Sequence, residues 1–166
     1  MHSQEQSRSL LQAVNHYNKS LNAQAEDYLA GRGISRDVAD AFLLGVVTDP
    51  VAGHEGHTGW LSIPYITALG DAVGVKFRRL DDGKPKYGAP TGQKAHLFNV
   101  VDVIVDSAFI VVCEGELDTV IVSGVLNIPA VGVPGVAAWK PHFSRLLSGY
   151  DRVLIVGDND VKEDGT

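Results

Sequence analysis

The sequence predicts an α/β protein in two parts, an N-terminal mixed α+β lobe over residues 1–106 and a parallel-sheet, Rossmann-like lobe over 107–166. Three observations carry that expectation. Helical periodicity fills the first third of the chain, and short strands broken by turn signals fill the middle. From Ala108 onward, near-continuous apolar runs alternate with helical segments, the pattern of parallel strands covered on both faces and joined by crossover helices.

Residues 21–33 place Leu21, Ala25, Tyr28 and Leu29 at helical spacing and stop at Gly31 and Gly33. Ser35 can cap a second helix with Asp37 in its first turn, turning Val38, Phe42 and Leu43 inward. Residues 48–59, TDPVAGHEGHTG, read as a loop with His54 and His57 exposed. Residues 60–66, 72–80 and 96–105 read as strands of a small mixed or antiparallel sheet, with turns at 68–71 and 81–85. The second part follows as strand 109–115, helix 116–126, strand 128–134, helix 137–149 with Trp139 and Phe143 in the core, and strand 152–158.

At 166 residues, 45% of them hydrophobic and 20% charged, the chain has the makeup of a soluble globular protein with a real core. No apolar stretch approaches the roughly 20 residues that span a bilayer. The N-terminus lacks the basic-then-apolar layout of a signal peptide, so no membrane partner and a cytoplasmic setting are expected. The single cysteine, Cys113, excludes an internal disulfide and a thiolate zinc cluster, and reads as a small buried strand residue. A net charge of −6 argues against bulk electrostatic coating of nucleic acid. The average hides a polarity: residues 76–94 hold six basic residues (Lys76, Arg78, Arg79, Lys84, Lys86, Lys94) against Asp81 and Asp82.

The acids collect where two apolar strands end, in CEGELD (113–118) and GDND (157–160). In parallel sheets, ligands bind beyond the carboxyl ends of the strands, where strand order reverses. Asp158 and Asp160 are two apart, so an extended chain puts both on one face. Glu114 closes the first strand, and Asp118 follows one helical turn later. Four converging carboxylates without lysines among them repel one another unless a cation neutralises them, and magnesium, a hard ion taking oxygen ligands, suits them. Its work in such a site is phosphoryl or nucleotidyl transfer. Glu116 reads instead as a helix-capping acid. A calcium loop in DNDVKEDGT fails because its sixth position is Glu163, not glycine. HEGH (54–57) misses the metalloprotease spacing.

CEGELD followed by GDND resembles the two acidic motifs of a toprim domain, and the preceding segments resemble the catalytic core of bacterial and phage DnaG-like DNA primases. YLAGRGIS with FLLGVV, then GWLSIPY, VKFRRL with PKYG, and GQKAHLFNV, stand in the order of that core. The resemblance implies a metal-dependent nucleotidyltransferase that makes RNA primers on single-stranded DNA from ribonucleoside triphosphates. It implies Glu114, Asp158 and Asp160 as catalytic residues, these three with Asp118 as ligands of Mg2+ or Mn2+, and Arg78, Arg79, Lys84 and Lys86 as the nucleic-acid or nucleotide strip. Trp60 stands where many members carry a basic residue, and a cysteine-rich zinc module is missing. The toprim fold should continue past Thr166, so the chain is expected to be a shortened piece or one half of a split primase, poorly active alone. A downstream primase half or a replicative helicase is then its expected partner, in the host cytoplasm if a phage encodes it. Other toprim chemistry, phosphodiester cleavage by a nuclease or topoisomerase, is the enzymatic alternative, although no tyrosine or histidine stands beside the acidic motifs. A non-catalytic nucleic-acid-binding module is the other.

Overall fold

The computed structural model describes residues 4–135 and 138–157. Helix α1 (Gln4–Lys19) precedes α2 (Ala23–Ala30) and α3 (Arg36–Ala41), so two helices undercount the first third. Leu10, Ala13, Val14 and Tyr17 recur at helical spacing, and the last three are buried. The expected cap at Ser35 forms, its Oγ accepting from Val38 N–H at 3.3 Å, and α2 has a cap the sequence reading did not name, Asn22 Oδ1 accepting from Ala25 N–H at 3.0 Å.

Strands β1 (Gly45–Val46), β2 (Leu61–Ile66), β3 (Ala72–Arg78) and β4 (Tyr87–Gly88) form an antiparallel sheet in that order. The β2–β3 turn closes through Thr67, whose Oγ1 accepts from Leu69 and Asp71 N–H while Gly70 takes φ +85°. The expected strand at 96–105 does not form. Phe98 makes a single antiparallel bridge to Gly132, and the chain then enters a 3-10 turn, Val100–Ile104. The reason is local: Asn99 adopts φ +57°, and Asp102 Oδ2 accepts from Ser123 Oγ at 2.6 Å and Ala130 N–H at 2.9 Å, so side chains replace the ladder.

The second sheet is parallel, in the order β6–β5–β7, from β5 (Phe109–Cys113), β6 (Ala130–Gly132) and β7 (Arg152–Val156). Helix α4 (Glu116–Val120) runs on as a π turn, Ile121–Val125, rather than an α-helix to 126. Helix α5 spans only Pro141–Leu147, opening on a proline whose missing N–H costs nothing there. Phe143 is core, as expected, but Trp139 precedes the helix and is 41% exposed. Cys113 is buried, as expected. Strand β7 is the sheet edge, and all five of its residues are exposed.

The antiparallel sheet shares its core with α4 of the second part. Leu29, Ile34, Leu61, Ile63 and Tyr65 cluster with Phe98, Leu117 and Val120. Close approach there requires glycine at 132: a Cβ would stand 2.5 Å from Thr119 Oγ1.

His54 and His57 are not exposed loop residues. His54 is 5% exposed, and His57 stacks on Phe77 with ring centroids 4.2 Å apart. Tyr17 explains the difference: its hydroxyl accepts from Val51 N–H at 3.1 Å and shares a hydrogen bond with His54 Nδ1 at 3.0 Å, tying the loop to α1. Burial, reinforced by His57 and opposed by Glu55, holds His54 below the usual imidazole range, and burial lowers His57 too. In the unfolded chain both titrate near about 6.5. Their contribution is therefore complete above that pH and is lost as the pH falls through the lower folded-state values. The melting temperature should drop on acidification from about pH 7 to about pH 5, less so for His54→Gln, which keeps an acceptor for Tyr17. Equal acid sensitivity in the two proteins would remove His54 as the cause.

Candidate functional site

Strand β5 is central, with β6 on one side and β7 on the other, so the chain reverses its direction of travel across the sheet at the carboxyl end of β5. Glu114 stands there. Its N–H donates to Val156 O at 3.1 Å, extending the ladder one residue past the strand. Its carboxylate reaches toward β7: a Cβ on Gly157 would lie 3.4 Å from Glu114 Oε2. A cleft of about 210 Å³ opens beside it, walled by Val112, Val133, Trp139, Ile155 and Val156. Asp118 folds back over the start of α4, with Oδ2 2.8 Å from where a Cβ on Gly115 would stand. Asp158 and Asp160 lie outside the described residues, so their expected common face does too. Among the described residues, no three His, Cys, Asp or Glu side chains gather to hold a metal ion.

Glu116 is not a capping acid. The N-cap of α4 is Gly115, without a side-chain cap bond, and Glu116 is 1% exposed. Its Oε1 accepts from Tyr65 O–H at 2.5 Å and from Lys76 Nζ at 2.8 Å, and Lys76 also reaches Oε2 at 3.0 Å. Burial and the Glu116 charge push the Tyr65 hydroxyl far above its usual range, so it stays a donor. A lysine does stand among the acids, reached from β3.

The basic strip is an interleaved row of cations and rings. Arg78 donates to Tyr87 O–H and lies over two rings, 4.8 Å from the Tyr87 centroid and 5.3 Å from that of Tyr28. Arg32 covers Tyr28 at 5.1 Å and Lys76 covers Tyr87 at 4.6 Å. Arg78 Nε and Tyr28 O–H are buried without a hydrogen-bond partner among the described residues. Arg79 is differently engaged: it holds Asp81 through two bonds at 2.5 and 2.9 Å and lies over Trp60 at 5.0 Å. That hydrogen bonding, with help from Gly83 N–H, lowers the Asp81 carboxyl to about 2. Lys84 and Lys86 are exposed, and neither has an ion-pair partner among the described residues.

Beside the row, a cleft of about 420 Å³ is lined by Tyr87, Gln93, Lys94, His96, Lys76 and Pro134. It is separated from the Glu114 cleft by the segment Val133–Pro134, each residue of which faces one of the two. Sequence reasoning missed Tyr28 and Arg32, one helical turn apart, by reading Tyr28 only as core. It passed over Tyr87 and counted Lys94 only as charge. The arrangement offers oxygen donors at one end and cations with aromatic faces at the other, the chemistry of a polyanion carrying bases.

Comparison with known proteins bears on the fold. No family model matches the chain. The Gene 57 protein of Mycobacterium phage D29 is 42% identical over 108 residues, covering 63% of this chain and 70% of that relative. Among solved structures, the Aquifex aeolicus primase zinc-binding and RNA polymerase domains superpose with a TM-score of 0.77 at 20% identity over 99% of this chain and 50% of that one. The E. coli primase catalytic core gives 0.70 at 21% identity, over 94% and 64%. A DnaG primase catalytic domain bound to single-stranded DNA gives 0.71 at 20% identity, over 92% and 64%. The chain therefore has the fold of the DnaG catalytic core and spans about half to two thirds of those solved chains.

Proposed function

The chain belongs to one family with the Gene 57 protein of Mycobacterium phage D29, and from that membership and its DnaG-type fold we propose that it is the N-terminal portion of a primase catalytic core. In this reading residues 1–106 carry the nucleic-acid strip and 107–166 belong to a toprim lobe. The activity is synthesis of RNA primers on single-stranded DNA from ribonucleoside triphosphates, in the cytoplasm, which is the host's if a phage encodes the chain. The observation that carries it is the placement of Glu114 at the reversal point of the parallel sheet in a chain that also builds the Arg32–Tyr28–Arg78–Tyr87 row. A metal-holding end alone would fit many phosphotransfer enzymes, and the stacked row adds a reason for single-stranded nucleic acid.

The donor set fits a hard divalent ion, because Glu114, Asp158 and Asp160 offer carboxylate oxygens and Asp118 stands close by in sequence. These residues would hold Mg2+ or Mn2+, which when bound supplies charge neutralisation for triphosphate oxygens. The chain's own groups do the remaining work. Arg78, held over the Tyr28 and Tyr87 rings, adds positive charge beside the half-exposed Tyr87, the combination of cation and aromatic ring that suits a single strand. Lys86 and Lys84 extend the cationic track, with Arg32 at its far end. Lys94 and His96 line the adjoining cleft, where a triphosphate would meet them. Arg79, bound to Asp81, helps by fixing the β3–β4 turn. A downstream primase half or a replicative helicase is the partner that this reading proposes.

Binding of single-stranded oligonucleotide tests the strip. Arg78→Ala with Lys86→Ala should weaken it and flatten the slope of log affinity against log salt by about 1 per residue removed. An unchanged slope in the double variant would move the track elsewhere.

A further inference from the structure

Lys76 sits in the basic strip and Glu116 sits between two acids, yet each is turned away from the ligand its position would assign it. An ammonium has three N–H donors. Those of Lys76 go to Glu116 Oε1 at 2.8 Å, Glu116 Oε2 at 3.0 Å and the Pro134 carbonyl at 3.2 Å. Its donor set is full, so phosphate would have to displace a buried carboxylate. Glu116 in turn receives Lys76 and the Tyr65 hydroxyl, at 1% side-chain exposure.

Four segments meet at this point: β2 through Tyr65, β3 through Lys76, the first turn of α4 through Glu116, and the segment after β6 through Pro134. An apolar plug would fill the same space without the cost of desolvating two charges. What the charged pair adds is direction, because each bond holds only at one rotation of α4 against β3. The residues so oriented are Glu114 and Asp118, two before and two after Glu116. Pro134 belongs to the segment that divides the two clefts.

We propose that Tyr65, Lys76 and Glu116 form a joint that fixes the acidic turn, residues 114–118, against the strip-bearing sheet, making Lys76 and Glu116 positioning residues for the metal-holding end. This rests on Glu114 being a metal ligand, and two readouts keep the failure of that reading distinct from failure of the joint. The variants are Lys76→Met, Glu116→Gln and the two combined, which leaves no buried charge unpaired. The first readout needs no metal. Amide exchange at 115–119 should accelerate about tenfold or more in each single variant relative to β5 amides in the same protein, because local opening becomes easier. Exchange that speeds equally across the chain, or not at all, would reduce the pair to ordinary stability and overturn the proposal. If a single variant fails to fold, the double variant is measured. It should fold and still show the local acceleration, and its protection at the wild-type level would be equally fatal.

The second readout is the manganese concentration that half-saturates thermal stabilisation. It should rise about 10- to 100-fold in Glu116→Gln, the usual effect of losing a group that orients a ligand. A lower melting temperature with an unmoved midpoint would count against positioning. A wild type that ignores manganese would instead sink the metal reading and leave the joint to the exchange data. The salt slope for single-stranded oligonucleotide should not change in Lys76→Met. A fall of about 1 would make Lys76 a phosphate contact and overturn the assignment.

Discussion

Replacing Glu114 with glutamine should lower metal-dependent primer synthesis by about three orders of magnitude in a core that joins this chain to the downstream primase half proposed above. Metal stabilisation of transition-state charge contributes several kcal/mol, and about 4 kcal/mol corresponds to roughly a thousandfold in rate. Glutamine keeps the size and one carbonyl oxygen but removes the charge that would hold the ion at the end of β5. The backbone N–H bond from Glu114 to Val156 O at 3.1 Å is untouched by the substitution, so the link to β7 is kept. Asp158→Asn with Asp160→Asn should act likewise, while removing manganese-induced stabilisation and leaving apo stability equal or higher. The measurement is incorporation of labelled ribonucleotide on single-stranded template, with the melting temperature followed against manganese. Synthesis that survives Glu114→Gln within about tenfold would remove Glu114 from the reaction.

The same residues show how far sequence reaches. Glu114 was legible because two independent patterns coincide on it, an apolar run ending in an acid and the rule that ligands sit at the carboxyl ends of parallel strands. The caps at Ser35 and the turn at Thr67–Asp71 were legible because their chemistry is local. Glu116 was not, since its partners are 51 and 40 residues away, and its first-turn place in α4 looks the same whether it caps the helix or is buried. His54 was misread for the same reason: Tyr17, 37 residues earlier, decides its burial. The segment 96–105 failed differently. Its apolar alternation fits a strand, but Asn99 in the left-handed region and the Asp102 bonds to Ser123 and Ala130 take the chain out of the ladder. Among the strip residues, Arg78 was visible as charge, whereas its stacking between Tyr28 and Tyr87 depends on α2 meeting β4 in space.

Supplying the polypeptide that continues the parallel sheet should raise primer synthesis from near background by at least about two orders of magnitude, the scale on which small misplacement of reacting groups acts. The reason lies in β7. Its residues, Arg152–Val156, make the near-continuous apolar run of a strand meant to be covered, yet Val153, Leu154, Ile155 and Val156 are 41, 47, 81 and 48% exposed. Strand β7 also frames the Glu114 cleft through Ile155, Val156 and Gly157, so whatever steadies it steadies the site. Under the proposed function the expected occupant is the remainder of a DnaG-type core, because the chain superposes over 89% of its length on a solved DnaG catalytic core while spanning 60% of it. Covering those four side chains would contribute roughly 4 kcal/mol at the usual value per buried side chain, discounted by half for partial burial. The downstream portion, joined in cis or added as a second polypeptide, should therefore slow amide exchange along β7 and support synthesis that requires Glu114. Joining it without any change in β7 exchange would show that its surface is not the missing contact. Full synthesis by the 166 residues alone would show that the active end needs no cover.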